Sequence, residues 1–427
     1  MDKDKLNIWV LLLIIAVSIK FLINDFFAFI TSETKYIDFP SYYGAAILLK
    51  KGLNIYLVDN YVSLFSNSNI LPPEANIYPF VYPPFFTLLL IPLSIFNYNH
   101  AAIIWNFLNL LFLLTGLVFL YKSIEIERKY RTIFLVCLTL LVSIFQPIVA
   151  CLWKGQVDIL VFMLFSVFLY YLKKNRFYIS SFAFACMALI KVYPLGFLIY
   201  FLVKRKWKIL ITFISILIVL LSITIALTGY NNNLLYLTKI LPEFSSGSYT
   251  NFKFNPFPLL ENHSITSIFY KNLYSNNIKY VLPSKVKNII TIINLLFWIS
   301  VIIILNKRKD IAFAENEMSL ILITILITLP ILWSHFMVIL IFPYLLLIKY
   351  FLNTAIDKPF IILLTLLSFL LLNATIPVNY YRLNSEFKAI ISIALNFRLY
   401  SLFILYFIYY YIIKTNRRPQ DFKLGDE

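Results

Sequence analysis

Residues 207–229 read WKILITFISILIVLLSITIALTG. From Ile209 to Thr228 this stretch carries no charged side chain, and a helix that crosses a bilayer needs roughly 20 such residues. Runs of similar character lie near 8–30, 101–121, 132–152, 156–172, 286–306, 359–376 and 389–413. The sequence therefore predicts an all-α polytopic membrane protein.

The composition of the whole chain supports this interpretation. Of its 427 residues, 61% are hydrophobic and 13% are charged, and the mean hydropathy is +0.83. Ordinary globular chains are about 45–50% apolar and about 25% charged. These values exclude a water-soluble enzyme, a nucleic-acid-binding protein and a disordered scaffold. The cysteines Cys137, Cys151 and Cys186 lie in or beside apolar runs and predict neither a disulfide framework nor a zinc cluster.

Two further apolar runs, 177–203 and 317–350, are interrupted at their middles. The first breaks at Lys191-Val192-Tyr193-Pro194, and the second at Pro330-Ile331-Leu332-Trp333-Ser334-His335. A proline removes a helical hydrogen bond and buried polar side chains need partners, so each run is predicted to form a hairpin of two shorter helices. The run 84–96 begins with a double proline and is too short to cross.

The charge of +17 is concentrated in clusters between the runs, and these predict the orientation. The clusters are Lys122/Arg128/Lys129/Arg131, Lys173/Lys174/Arg176, Lys204/Arg205/Lys206/Lys208, Lys307/Arg308/Lys309 and Lys414/Arg417/Arg418. All five lie on the cytoplasmic side, as the positive-inside rule requires, only if 84–96 does not cross and both interrupted runs return. We therefore expect one membrane domain over 1–413 in the plasma (inner) membrane, with outer loops at about 31–83 and 230–285 and a cytoplasmic tail at 414–427. The run 8–30 lacks a small-residue cleavage site and is expected to be a retained first span.

This threading places most of the unexplained polar side chains on the outer face, where we expect a site. They are Asp38, Lys154, Gln156, Asp158, Lys191, Tyr193, Glu261, Asn262, His263, Ser334, His335, Tyr380, Tyr381 and Arg382.

Asp38 precedes a helix predicted between Pro40 and Gly52, which we expect to lie on the outer surface with Tyr42 on its apolar face. Asp38 is either a plain N-cap or, with its pKa raised by apolar surroundings, a general base. Similarly, Lys154 and Asp158 are either a snorkelling lysine and a cap, or parts of the site.

Lys191 is costly inside a membrane, which makes it a functional candidate whose natural partner is an anion. His335 is either a satisfied structural histidine or part of the site. The segment Glu261–Ser264 is either a solvated turn or part of the site.

The sequence contains no glycine-rich phosphate loop, no metal-ligand spacing and no nucleophile elbow, so no metal or cofactor is predicted. One base, several cations and many aromatic residues suit sugar transfer from a lipid phosphate better than hydrolysis.

The ordered motifs resemble those of glycosyltransferase family 87, the polyprenol-phosphate-mannose-dependent transferases of the GT-C fold. The motifs are Asp38 with Tyr42-Tyr43, Tyr82-Pro83-Pro84-Phe85, Gly155-Gln156-Val157-Asp158, Ala188–Pro194, Asn262-His263-Ser264 and Trp333-Ser334-His335-Phe336. The likeness covers about 30–350. The chain differs from the usual pattern at Asp158, where asparagine is common, and at Glu261-Asn262-His263-Ser264, where Gly-Asn-Gln-Ser is more typical.

The resemblance implies a GT-C-type bundle with broken helices, two long outer loops and an active site that faces away from the cytoplasm. Asp38 would be the catalytic base of an inverting hexosyl transfer, with mannose as the expected sugar, from a polyprenyl-phosphate donor to a glycan or glycolipid acceptor. The expected donor-phosphate ligands are Lys191 and His335, with Lys154 or Arg382. The expected substrate contacts are Tyr42, Tyr82, Gln156, Asp158, Tyr193, Asn262 and His263.

Two other functions fit part of the pattern. Broken helices with polar groups at membrane depth also occur in transporters, so a flippase for a lipid-linked sugar is an alternative. Such sites lie near the midplane and often accompany internal repeats, and no clear repeat is found here. A structural or assembly role would explain the apolar runs, but it would leave the polar side chains on one face without a purpose.

Overall fold

The computed structural model describes residues 38–66, 80–245, 259–273, 282–308, 314–353, 359–375 and 394–415, with the single residues 16 and 391. The described residues form helices and connecting turns, and none of them lies in a β-strand. The predicted first span 8–30, the outer loop near 377–388 with Arg382, and most of the tail lie outside the described residues.

The helices follow one another along the chain with short connections. They are α1 (Phe39–Lys50), α2 (Val58–Ser66), α3 (Pro84–Leu90), α4 (Tyr98–Ser123), α5 (Arg131–Ser143), α6 (Gln146–Lys154), α7 (Asp158–Lys173), α8 (Phe177–Ile190), α9 (Leu198–Val203), α10 (Trp207–Thr228), α11 (Tyr230–Leu235), α12 (Leu241–Ser245), α13 (Ile265–Leu273), α14 (Ser284–Asn306), α15 (Glu315–Ile327), α16 (Ile341–Asn353), α17 (Pro359–Asn373) and α18 (Phe397–Thr415). Short 3₁₀ segments lie at Ile91–Ile95, Arg128–Tyr130, Tyr193–Phe197 and Ser334–Leu340, and a π-helical turn lies at Tyr236–Ile240.

Among the described residues, five helical stretches are long and apolar enough to cross a membrane. They are α4, α10, α14, α18 and the continuous stretch Ser334–Asn353. The helices α5 and α6 make a sixth crossing if the bent pair counts as one. The predicted class of all-α polytopic membrane protein is therefore confirmed.

Two acidic residues at the start of α15 form ion pairs with basic residues of other segments at one end of the bundle, which we call the charged end. The carboxylate of Glu315 binds Lys173, at the end of α7, at 2.7 Å and Lys349, in α16, at 3.1 Å. Lys173 also donates to the carbonyl of Ser123, the last residue of α4. Three other helices therefore reach the charged end beside the start of α15.

Glu317 extends the charged end to three further segments. Its carboxylate binds Lys204, just after α9, at 2.8 Å and Arg308, just after α14, at 3.1 Å. Arg308 in turn donates to the carbonyl of Ile413 near the end of α18. The basic clusters expected on one side of the membrane thus share one end of the bundle in the described residues.

These ion pairs confirm the two predicted hairpins. The first interrupted run leaves the charged end at Phe177, breaks at Lys191 and returns to the charged end at Lys204. The second leaves at Glu315, breaks between Ile327 and Ser334, and returns at Lys349. Both breaks therefore lie at the opposite end of the bundle from the ion pairs.

Two details differ from the sequence predictions. The run 132–152 is not one straight span, because α5 and α6 meet at a 45° bend just before Pro147, whose ring cannot continue the ladder of α5. The helix α1 does not lie on the surface with a single apolar face. Nine of its twelve residues are buried, because the short helices α2 and α3 and the start of α4 pack around it.

Candidate active site

Asp38 is fixed by the backbone and by aromatic packing at the start of α1. Its amide donates to the carbonyl of Lys154 at 3.0 Å. The next residue, Phe39, stacks on Trp105 of α4 with ring centroids 6.0 Å apart, and the indole of Trp105 donates to the carbonyl of Gly155 at 2.8 Å. Gly155 ends α6 with a φ of +66°, a conformation that glycine adopts without strain. The start of α1 is therefore attached to the turn between α6 and α7.

The Asp38 side chain does not cap α1, although it stands at the N-cap position. Its Oδ2 accepts a hydrogen bond of 2.7 Å from Nε2 of Gln156. The other end of this amide, Oε1, accepts from the hydroxyls of Tyr42 and Tyr82, each at 2.8 Å. The plain-cap interpretation of Asp38 is therefore wrong. Two other predicted site residues, Tyr42 and Tyr82, are connected to its carboxylate through the side-chain amide of a third, Gln156.

Burial determines the protonation of this group of side chains. It raises the pKa of the Asp38 carboxyl above its usual value, and Lys154, the Gln156 amide and Lys191 partly offset the rise. Burial also raises the pKa of the Tyr42 and Tyr82 hydroxyls well above the ordinary range. Both phenols are therefore protonated at neutral pH and can donate to Gln156.

Asp158 and Lys191 form a buried ion pair next to this group. Lys191 Nζ lies 2.8 Å from each oxygen of the Asp158 carboxylate, and it also lies 3.6 Å above the ring of Phe336. The Nε2 atom of His335 is 3.8 Å from the same carboxylate. The other ring nitrogen, Nδ1, is buried and has no hydrogen-bond partner among the described residues. The charge of Lys191 is therefore already paired with the Asp158 carboxylate of the same chain.

Lys154 is the other lysine at the site, and its positive charge acts on Asp38, whose pKa it lowers. No carboxylate of the described residues lies within ion-pair distance of its ammonium, which instead lies 4.8 Å from the ring centroid of Trp333. Its side chain is half-buried and lines the cavity described below.

The loop before α13 is fixed by Asn262 and His263. Asn262 Oδ1 accepts from the amides of Ser264, at 3.1 Å, and Leu332, at 3.0 Å. The amide of His263 donates to the carbonyl of Leu332 at 2.9 Å. Both side chains are fully buried and neither is part of the cavity lining. The cavity lining therefore does not include Asn262 and His263, and their expected substrate contacts stay a prediction. These residues hold the loop against the second helix break.

Arg398 and Lys271 complete this attachment, and the sequence analysis missed both. Arg398 Nη1 lies 2.7 Å from His263 Nε2, and its other nitrogens donate to the carbonyls of Leu372 and Ala374. Lys271 donates to the carbonyl of Asn262 at 2.7 Å. Burial and the cations nearby lower the pKa of His263 well below its usual value, so a neutral ring accepts from the guanidinium. An arginine alone in the last apolar run was the available sign of a buried partner.

A cavity of about 700 Å³ opens at this end of the bundle. Its polar lining residues include Asp38, Tyr42, Tyr82, Lys154, Gln156, Lys191, Tyr193, Glu261 and His335. Its apolar lining residues include Ile190, Val192, Tyr236, Leu241, Phe244, Leu259, Leu329, Pro330, Ile331, Trp333 and Phe336. The lining therefore offers contacts for both polar and apolar groups of a ligand. The described residues contain no group of side chains arranged to hold a metal ion.

Comparison with known proteins identifies the family. A sequence profile of glycosyltransferase family 87 matches residues 80–330, which is more than half of the chain. The matched part contains Gln156, Asp158 and Lys191, whereas Asp38 precedes it and His335 follows it. No curated protein matches the chain. The membrane protein with this cavity is a glycosyltransferase and belongs to glycosyltransferase family 87.

Proposed function

We propose that the chain transfers a hexose, mannose in the first instance, from a polyprenyl-phosphate sugar to a hydroxyl of a glycan or glycolipid, with inversion at the anomeric carbon. The observation that carries the proposal is the carboxylate of Asp38, held by Gln156 at the wall of a cavity lined by both polar and apolar side chains. A general base with a raised pKa suits the removal of a hydroxyl proton.

In this reaction Asp38 takes the proton of the acceptor hydroxyl. The acceptor oxygen forms a bond to the anomeric carbon while the bond from that carbon to the phosphate oxygen breaks. The electron pair leaves with the polyprenyl phosphate, which gains one negative charge. The products are the glycosylated acceptor, polyprenyl phosphate and a proton on Asp38.

The charge that develops on the phosphate needs a cation, and we assign this role first to Lys154. Its side chain lines the cavity, and no carboxylate of the described residues lies within ion-pair distance of its ammonium, whereas Lys191 directly contacts Asp158. His335 also lines the cavity and is the second proposed ligand. Arg382 remains a prediction because it lies outside the described residues. A preplaced cation in a site with little water stabilises such a charge far better than it would in water.

The remaining lining residues account for the two other parts of the donor. We place the sugar against Tyr42, Tyr82 and Tyr193 of the cavity lining, and Asp158 acts through its pairing with Lys191. We place the polyprenyl chain against the apolar lining residues of the second helix break and of residues 236–244.

We further propose that the site faces away from the cytoplasm. The basic clusters at the charged end are expected inside by the positive-inside rule, and the cavity lies at the other end of α7, α8 and α15. Polyprenyl-phosphate sugars are amphipathic, and a cavity in the plasma membrane can receive them directly from the bilayer.

The test compares Asp38→Asn with Asp59→Asn, which changes an exposed aspartate in α2. Each purified protein is incubated with radiolabelled polyprenyl-phosphate mannose and a membrane glycolipid extract, and released polyprenyl phosphate is measured. Asp38→Asn should lower the rate by about 10²–10⁴-fold, since general base catalysis contributes that much, and Asp59→Asn should not. Undiminished release by Asp38→Asn would refute the assigned base. A wild-type protein that carries the donor across a liposome intact would instead be a transporter.

A further inference from the structure

We propose that Gln156 is a positioning residue that presents Asp38 Oδ1 to the acceptor hydroxyl, and that Tyr42 and Tyr82 set the direction of its amide. The inference rests on the function proposed above, because it concerns how the base is held. It assigns a role to three side chains that would otherwise be only part of the cavity wall.

The direction of the amide follows from the chemistry of its neighbours. An ionised carboxylate can only accept hydrogen bonds, so the NH₂ group of Gln156 must face Asp38 Oδ2, 2.7 Å away. The carbonyl oxygen then faces the two phenols at 2.8 Å, and both must donate to it. A flipped amide would set two oxygens against each other beside Asp38. Gln156 is 4% exposed, so water does not replace these partners.

This arrangement makes the two carboxylate oxygens of Asp38 unequal. Oδ2 is held by Gln156, whereas Oδ1 receives no hydrogen bond from any described residue. The backbone of Asp38 is fixed separately, since its amide donates to the carbonyl of Lys154. The carboxylate therefore has one fixed oxygen and one oxygen left for a substrate on the wall of the cavity.

The charged and titratable groups around Asp38 come from every neighbouring segment. They are Lys154 of α6, Asp158 of α7, Lys191 at the first helix break, Tyr42 of α1 and Tyr82 before α3. Of these surroundings, the Gln156 amide is the only one that hydrogen-bonds the carboxylate side chain in the described part of the chain. Its removal takes away a bond that favours the ionised form, so the pKa of Asp38 must rise.

The test replaces Gln156 by leucine and measures transfer against pH. Transfer needs ionised Asp38 and therefore falls on the acid side of its pKa. In Gln156→Leu the acid limb of the plot of transfer rate against pH should move up by about one pH unit, because a hydrogen bond to a charged group is lost. Loss of the fixed geometry should also lower kcat by about 10- to 100-fold. Gln146→Leu makes the same change at the start of α6, outside the cavity lining, and should leave both quantities unchanged.

A second pair of variants tests the role of the tyrosines and covers the case that Gln156→Leu does not fold. Tyr42→Phe with Tyr82→Phe keeps the amide but removes both donors, so the acid limb should move in the same direction by a smaller amount. Tyr43→Phe is the matched control, because its hydroxyl donates to the carbonyl of Phe96 instead. A merely structural role would reduce the amount of folded protein without moving the limb.

Two outcomes separate this inference from the proposed function. If Asp38→Asn is inactive but the Gln156 and tyrosine variants keep the wild-type acid limb and kcat, the positioning role is wrong while Asp38 remains the base. If Asp38→Asn remains active, the proposed base is wrong whatever the Gln156 variants show.

Discussion

Lys191 Nζ lies 2.8 Å from both carboxylate oxygens of Asp158, and both side chains are buried. The lysine that seemed the most natural ligand of a phosphate is thus neutralised by an aspartate of the same chain. In the proposed function, the donor phosphate would meet Lys154 as the lining lysine that has no carboxylate of the described residues within ion-pair distance.

Lys154→Met should therefore slow transfer more than it weakens donor binding. The charge on the leaving phosphate grows in the transition state, and loss of one stabilising group there costs about 10²–10³-fold in kcat. Lys154→Arg keeps the charge and should retain most of the rate. Steady-state kinetics of the purified variants measures both, with exposed Lys174→Met at the charged end as the control. A normal kcat in Lys154→Met would contradict the assignment.

The Asp158–Lys191 pair should behave as a unit in stability measurements. Removal of one partner leaves a buried charge alone, which costs about 3–5 kcal/mol, whereas removal of both can be nearly neutral. We expect Asp158→Asn and Lys191→Met each to lower the melting temperature in detergent, and the double variant to recover most of the loss. Additive losses in the double variant would show that the two residues stabilise the fold independently.

Labelling of introduced cysteines should place the two ends of the bundle on opposite sides of the membrane. Lys51→Cys lies just after α1 and Lys174→Cys just after α7, and both native side chains are exposed. A membrane-impermeant maleimide should label Lys51→Cys in intact cells, and Lys174→Cys only after permeabilisation. Labelling of both from one side would contradict the proposed orientation. The wild-type chain is the background control, since Cys151 and Cys186 are buried and Cys137 is partly buried.

Lys271 should make stability depend on pH above neutrality. Burial lowers the pKa of this lysine from 10.5 to about 7 in the folded protein. Between these two values the unfolded chain binds the additional proton, so the free energy of unfolding should rise with pH from about 7 to about 10.5. Lys271→Met should lack this rise, as thermal unfolding at pH 7 and pH 9 would show. Parallel melting temperatures for the two proteins would contradict the depressed pKa.

The spans predicted near 101–121, 207–229, 286–306 and 389–413 and the two helix breaks could be predicted because they depend on local properties. Apolar length, prolines and basic clusters are visible in the sequence itself, and the ion pairs at Glu315 and Glu317 agree with them. The pairing of Asp158 with Lys191 joins residues 33 positions apart. The sequence shows that each needs a partner but not which partner it finds.

The roles of Asn262 and His263 could not be predicted for a different reason. Amides and imidazoles bind sugars and also satisfy buried backbone groups, so the residue types alone do not separate the two uses. Only the structure shows that Asn262 accepts from the amide of Leu332 and that His263 accepts from Arg398.

The length of α7 has a consequence for the lipid environment. Its 16 residues, which run from Asp158 to the charged end, span about 24 Å, whereas the hydrocarbon core of a bilayer is about 30 Å thick. With the charged end at one head-group layer, Asp158 lies roughly 6 Å short of the other. In the proposed reaction the donor phosphate would therefore react below its own head-group plane, and lipids with shorter acyl chains should bring that plane closer to the site. On this proposal, bilayer thickness would influence turnover independently of the side chains of the cavity.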